Sequence, residues 1–225
     1  MSEAPAKQPR RHEDRFGIRL LQAIDVCYAR IYHQVIVRAP HCLPHRGAAI
    51  LVCNHTSHID PLMIQSVCPR LITWMMTREF YDLKYLTWLF RSIGAIRVER
   101  SGRDMAALRA AIRSLEEGRV LGIFPEGKIE STPDLLPFQT GVALIAIKTG
   151  VPIYPAYLDG TQRKKELMAS LLHPQRATLT FGPAVEFDRS STSREVLDVA
   201  TEQIKQAVAN LKSLSERRAA ISAAL

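Results

Sequence analysis

The residues best equipped for chemistry stand between Leu51 and Asp60, in the run L-V-C-N-H-T-S-H-I-D. A general base acting on a hydroxyl needs a pKa near the working pH and a partner that fixes its second ring nitrogen. His55 can supply the imidazole, and Asp60, five residues on, can reach back to orient it. No G-x-S-x-G stretch offers a serine nucleophile, so the attacking hydroxyl would be the substrate's own. Two blander readings fit the same letters. Asp60 before Pro61 suits a helix N-cap, and a histidine at a strand end is commonly a polar turn residue. His55 and His58 also spell H-x-x-H. A zinc site wants three or four ligands, however, and the four cysteines stand apart with no C-x-x-C, so no metal is expected.

These residues need a frame. Ala48 to Cys53 is an apolar run that reads as a buried strand, and Leu62, Met63, Ile64 and Val67 recur at helical spacing after Pro61. His55 therefore falls where a strand stops and a helix begins, the edge on which open α/β sheets build their sites. Arg119 to Phe124 is a second such strand and runs into F-P-E-G-K, a stiff turn that sets Glu126 on the same edge. Backbone N–H groups exposed by so tight a turn suit an oxyanion or a phosphate; a plain turn with a solvated glutamate is the alternative. Gly94 to Arg100 alternates like a short strand with Arg100 at its end, and Ser101–Asp104 start a helix that runs to Glu117. Leu71 to Met76 reads as a strand, and Phe80 to Phe90 as a helix covering the sheet or as one wall of an acyl-chain groove. Gly141 to Thr149 is a buried helix stopped by Gly150. Val151 to Leu158 is a strand whose prolines suggest irregularity or an edge position. Thr161 to Lys165 is a basic cluster, solvated or bound to phosphate. Ala177 to Phe187 is a last strand and Arg194 to Ala220 a closing helix. This order implies an α/β fold with a largely parallel central sheet flanked by helices.

With 225 residues, 47% of them hydrophobic, the chain can bury a sizeable core, and residues 39–225 read as a single domain. Residues 1–14 read as a flexible basic tail. Residues 15–38 read as one amphipathic helix, with Phe16, Leu20, Ile24, Cys27, Ile31 and Val35 on one face and Arg15, Arg19, Gln22, Arg30 and His33 on the other. Such a helix either lies in a membrane interface or packs on the domain. No run reaches the roughly 18 apolar residues of a spanning helix. The chain has no N-terminal apolar leader, which points to reduced cysteines and a cytoplasmic setting. Thirty basic against 22 acidic residues give +8, which calls for an anionic partner. Anionic lipid fits better than nucleic acid, because no helix-turn-helix, RRM or finger pattern is present.

Four stretches, N-H-T-S-H-I-D, G-A-I-R-V-E-R, F-P-E-G-K and V-P-I-Y-P, stand in the order of the four blocks of the glycerolipid acyltransferases. Those blocks read N-H-x-x-x-x-D, G-x-x-F-I-x-R, F-P-E-G-T-R and V-P-I-x-P. Over residues 49–158 the chain resembles that family, which includes the 1-acylglycerol-3-phosphate acyltransferases. The resemblance implies acyl transfer from acyl-CoA or acyl-carrier protein to the free hydroxyl of a lysophospholipid, on the cytoplasmic face of a membrane. It implies no metal or bound cofactor and no nucleic acid. It makes His55 the general base and Asp60 its partner. It gives Asn54, Arg100, Glu126, Gly127 and Lys128 to substrate binding, Arg100 on the acceptor's phosphate, and Pro152 to donor binding or to structure. The chain departs from the pattern where Thr-Arg is replaced by Lys128-Ile129 and where Phe is replaced by Arg97. Both changes bear on the acceptor's identity: a different lysolipid, or a basic protein that binds without turnover, are the alternatives.

Overall fold

A computed structural model describes residues 16–39, 42–100, 104–129, 134–161 and 166–223. Seven strands form one sheet: β1 (Ile36–Ala39), β2 (Ala49–Cys53), β3 (Ile72–Thr77), β4 (Ile96–Val98), β5 (Val120–Ile123), β6 (Ile153–Asp159) and β7 (Thr178–Phe181). Eight α-helices accompany them: α1 (Phe16–Cys27), α2 (Asp60–Gln65), α3 (Arg78–Tyr81), α4 (Thr87–Ser92), α5 (Met105–Glu116), α6 (Gly141–Thr149), α7 (Leu167–Leu172) and α8 (Arg194–Ala223). The strand order is β1-β7-β6-β2-β5-β3-β4, and every pairing is parallel except β6 with β7. The α/β frame with a mostly parallel sheet is the one expected.

Alternation along each strand sends side chains to two cores. Ile50, Val52, Leu121, Ile123 and Ile153 pack under α5, α6 and α8, through Ala111, Leu115, Ile145, Ile204 and Val208. Leu51, Cys53, Ile72, Trp74 and Leu158 pack against Ile59, Met63 and Ile64 at α2. The chain leaving β2 runs toward β3, and the chain leaving β5 runs the other way, toward β6. The two connections cross on opposite faces of the sheet, through α2 and α6, and a crevice opens outside the carboxyl ends of the neighbouring strands β2 and β5.

Local chemistry explains the element ends. Asp104 caps α5, its carboxylate accepting the N–H groups of Ala106 at 3.0 Å and Ala107 at 2.9 Å. Gly150 ends α6 in the left-handed region, φ +68°.

Several expectations need correction. Residues 15–38 are not one helix. After Cys27 the helix widens into a π turn, Tyr28–Tyr32, with His33 N–H bonded to Tyr28 O, and β1 follows. The extra residue in that turn slips the 3.6-residue phase. Ala29 and His33 go inward and Ile31 outward, so His33 is buried and not on a polar face. Burial holds the pKa of His33 below the usual range, against a smaller opposing pull from the Leu171 carbonyl. Tyr28 and Tyr32 tie the π turn to α7, each donating its hydroxyl at 2.6 Å, to Leu171 O and Leu172 O. β1 also moves the sheet's start ahead of residue 39.

The strand with prolines is interior, not at an edge. Pro155 faces β7, where its carbonyl accepts Gly182 N–H just past the last paired residue, so its missing donor leaves no acceptor stranded. The last strand stops at Phe181. Residues 80–90 form no single helix but parts of α3 and α4 with turns between. The tail expected over 1–14 and most of the basic cluster, 162–165, lie outside the described residues. None of the four cysteines is in a disulfide. Among the described residues no helix is long and apolar enough to cross a membrane.

Candidate active site

Where β2 ends, Asn54 extends the sheet with its side chain. Its amide donates to Leu158 O at 2.9 Å and its carbonyl oxygen accepts Leu158 N–H at 2.8 Å. This clasp is buried, and Asn54 is not among the residues lining the cleft, so its visible task is to position the turn.

His55 comes next. Its Nδ1 lies 3.0 Å from Asp60 Oδ2, which also accepts the backbone N–H groups of Thr56 at 2.7 Å and Ser57 at 2.8 Å. Asp60 is fully buried, and three donors on one oxygen offset the desolvation of its charge. With Asp60 Oδ2 as acceptor the ring proton sits on Nδ1 and Nε2 keeps its lone pair, in a side chain that keeps 18% of its surface open. Asp60 is the first residue of α2, after Ile59 at the cap position, and no side chain bonds there. The N-cap reading of Asp60 is thereby excluded.

The imidazole is held from below as well. Its ring stacks on Phe124, centroids 4.1 Å apart and planes 13° from parallel, and Phe124 stacks on Trp74 of β3 at 4.8 Å. This three-ring pile, from core to site, was not visible as a motif. Its only trace is the β2–β5 register, which pairs Val52 with Ile123 and so brings the next residues of both strands side by side.

Glu126 also departs from expectation. It is buried, and Oε1 accepts the backbone N–H of His55 at 3.2 Å. It braces the base and is not among the residues lining the cleft. Gly127 turns the chain at φ +69°, its N–H bonded to Phe124 O at 3.1 Å. A Cβ there would meet only the movable end of the Gln139 side chain, so it is the left-handed φ that calls for glycine. Pro152 sits at the opposite end of β6 from His55, its carbonyl accepting Ile50 N–H at 3.0 Å. That position fits the structural alternative, since the residue stands inside the sheet's pairing and away from the cleft.

The cleft beside His55 is walled by His58, Trp74, Met75, Phe80 and Phe124, with Arg100, Gly127, Lys128 and Ile129 at its rim. It encloses about 130 Å³. That is well below the roughly 300–1,000 Å³ of pockets that swallow a drug-sized ligand. It admits the reacting head of a large substrate and leaves the remainder outside. Arg100 is 64% exposed and makes a 3.5 Å contact with Glu79. Lys128 is exposed, with no acidic partner among the described residues. His58 stacks on Phe80 at 5.6 Å, and burial, helped by the neighbouring His55, keeps its pKa below the usual range. It is therefore a neutral hydrogen-bonding group at neutral pH. Among the described residues no cluster of three or more His, Cys, Asp or Glu could hold a metal ion.

A histidine oriented by a buried acid at the divergence of a parallel sheet marks the class: an α/β protein equipped to activate a hydroxyl. A sequence model of the acyltransferase family matches residues 34–159, more than half the chain, and the protein belongs to that family. It is 26% identical over 174 residues to a 1-acyl-sn-glycerol-3-phosphate acyltransferase of Bacillus subtilis, covering 76% of this chain and 84% of that one. A protein of the same name from Borreliella burgdorferi is 32% identical over 132 residues, 57% of this chain; there the chain spans about half of the relative's length, 52%. The crystal structure of the 1-acyl-sn-glycerophosphate acyltransferase PlsC from Thermotoga maritima shares the fold. Its TM-score is 0.68 at 24% identity, covering 87% of this chain and 80% of that one.

Proposed function

We propose that the protein moves a fatty acyl group from a thioester, acyl-CoA or acyl-carrier protein, to the free hydroxyl of a lysophospholipid. The first candidate acceptor is 1-acylglycerol-3-phosphate, giving phosphatidic acid. The observation that carries this reading is the 3.0 Å contact of His55 with Asp60 at a cleft rimmed by two cations, Arg100 and Lys128.

His55 Nε2 takes the proton of the acceptor hydroxyl as its oxygen attacks the thioester carbonyl. Asp60 steadies the imidazolium that forms. The tetrahedral intermediate collapses, its C–S bond breaks, and the departing thiolate recovers the proton from His55. In this reading backbone N–H groups near the F-P-E-G turn steady the tetrahedral oxyanion. Arg100 and Lys128 seat the acceptor's phosphate, Arg100 as a fork and Lys128 as a point charge. Holding both substrates in one cleft supplies much of the acceleration. No step requires a metal or bound cofactor.

The acceptor is a lipid, so the enzyme works as a peripheral protein on the cytoplasmic face. α1 supports this: Phe16 is 82% exposed and Leu20 and Ile24 also face solvent, as does Ile31 in the π turn beyond it, apolar side chains that the other described residues leave uncovered. Ile129 at the rim, where the family pattern has arginine, favours a second reading in which the acceptor is a different lysolipid.

The test is thioester-dependent acylation of lysophosphatidate and of other lysolipids, with both donor types. Product that is absent with every acceptor, or unchanged in a folded His55→Ala variant, would overturn the proposal.

A further inference from the structure

The cleft is too small for an acyl chain, and the surface next to it has the composition of a membrane interface. α3 and α4, with the turn between them, form an aromatic run leading out of the cleft. Phe80 lines the cleft, stacks on His58 and packs on the buried Phe90, ring centroids 5.5 Å apart. Three residues apart beyond it, Tyr85 is 82% and Trp88 64% exposed, with Leu83 also open to solvent. Tyrosine and tryptophan so placed on a surface match the belts that settle at the level of lipid headgroups.

The acids of this segment are already paired: Glu79 meets Arg100 at 3.5 Å. Asp82, the sole acid between Phe80 and Phe90, is already held by Arg97 at 3.1 Å and Arg78 at 3.3 Å. Lys84 and Arg91 are exposed and have no acidic partner among the described residues. Two uncompensated cations flanking two exposed aromatics complement an anionic bilayer.

We propose that α3, α4 and their connecting turn seat the cleft on an anionic membrane, Tyr85 and Trp88 entering the headgroup layer while Lys84 and Arg91 meet lipid phosphates. This is a second contact, separate from α1, and it rests on the lipid-acceptor reading above. α1 packs on α2, and the turn entering α2 meets Phe80 through His58. With contacts on both sides of α2, the cleft would open onto the bilayer, and a lysolipid could offer its head to His55 while its chain stays in the membrane.

The chain carries two tryptophans, and Trp74 is buried, so a change of emission on vesicle binding reports Trp88. Full-length protein is mixed with phosphatidylglycerol vesicles, plain or brominated in the acyl chains, and with phosphatidylcholine vesicles. The expected result is a blue shift and bromine quenching on the anionic vesicles, both abolished by Trp88→Phe. A Tyr85→Ser/Trp88→Ser double variant is expected to lose about tenfold or more in rate on vesicle-embedded acceptor and to keep its rate on a soluble short-chain acceptor. Trp88 emission that stays solvent-like while the protein pellets with vesicles overturns the proposal, and so does failure to bind anionic vesicles at all. A shift caused by acyl-carrier protein but not by vesicles also overturns it, making the segment a protein dock. Trp88 quenched by brominated lipid in a protein that acylates nothing would uphold this contact and defeat only the proposed chemistry.

Discussion

The carboxylate of Glu126 accepts the backbone N–H of His55 at 3.2 Å, joining the turn after β5 to the turn after β2. His55 is thus held at its main chain by one acid, at Nδ1 by another and at its ring face by Phe124. Each restraint comes from a different part of the chain, and each can be removed separately.

Glu126→Ala leaves a part-buried N–H without its acceptor, which costs about 1–3 kcal/mol, and it frees the His55 backbone to shift. Thermal unfolding and kcat should fall together, while Glu126→Gln, which keeps an acceptor oxygen, should stay near wild type in both. A Glu126→Ala variant with normal Tm and kcat but a raised acceptor KM would instead place this side chain on the substrate.

His55→Ala should lower kcat about 10²- to 10⁴-fold with little change in either KM, the usual scale for a lost general base. Asp60→Asn should lose much of the same factor through the wrong ring tautomer. Steady-state kinetics on variants checked for folding decide it. Independent losses that multiply in the double variant would argue that the two do not act as a unit.

Arg100→Ala and Lys128→Ala should each raise KM for a phosphate-bearing acceptor about tenfold or more and leave kcat closer to wild type. Arg100 is exposed and its contact with Glu79 is long, so Tm should not move. Ile129→Arg should strengthen phosphate binding. A phosphate-free acceptor whose KM suffers equally would remove these cations from headgroup recognition.

Stability should carry the mark of Asp25. Neither of its carboxylate oxygens has a partner among the described residues, and burial pushes its pKa from 3.8 to about 7. Between those values the folded state keeps a proton that the unfolded state has released. Stability therefore falls as pH rises through that window and stays lower above it. Asp25→Asn should be more stable than wild type at pH 8 by about 1–2 kcal/mol, allowing for the residue's partial exposure, and equal to it at pH 4. Denaturation at both pH values, with hydrogen exchange along α1, measures this. A variant less stable at pH 8 would show that the ionised carboxylate has a partner.

What the sequence disclosed followed the range of each interaction. His55 and Asp60 lie five residues apart, and a strand-turn-helix pattern suffices to bring them together. The Trp74–Phe124–His55 pile draws on three strands, and only pairing register relates them. Glu126 and Asn54 stood in the right places but with different tasks, because letters do not say whether a polar side chain turns outward or braces its neighbour. β1 escaped notice because its four residues are mostly exposed and carry no apolar alternation. The π turn hid behind a periodicity that it breaks.

The pairing of β1 with β7 has one more consequence. Residues 36–39 find their hydrogen-bonding neighbour, residues 178–181, only across all the strands that lie between them in the chain. Pairing across so long an interval is slow, so until that distant partner is in place the exposed apolar side chains of α1 have no finished sheet behind them.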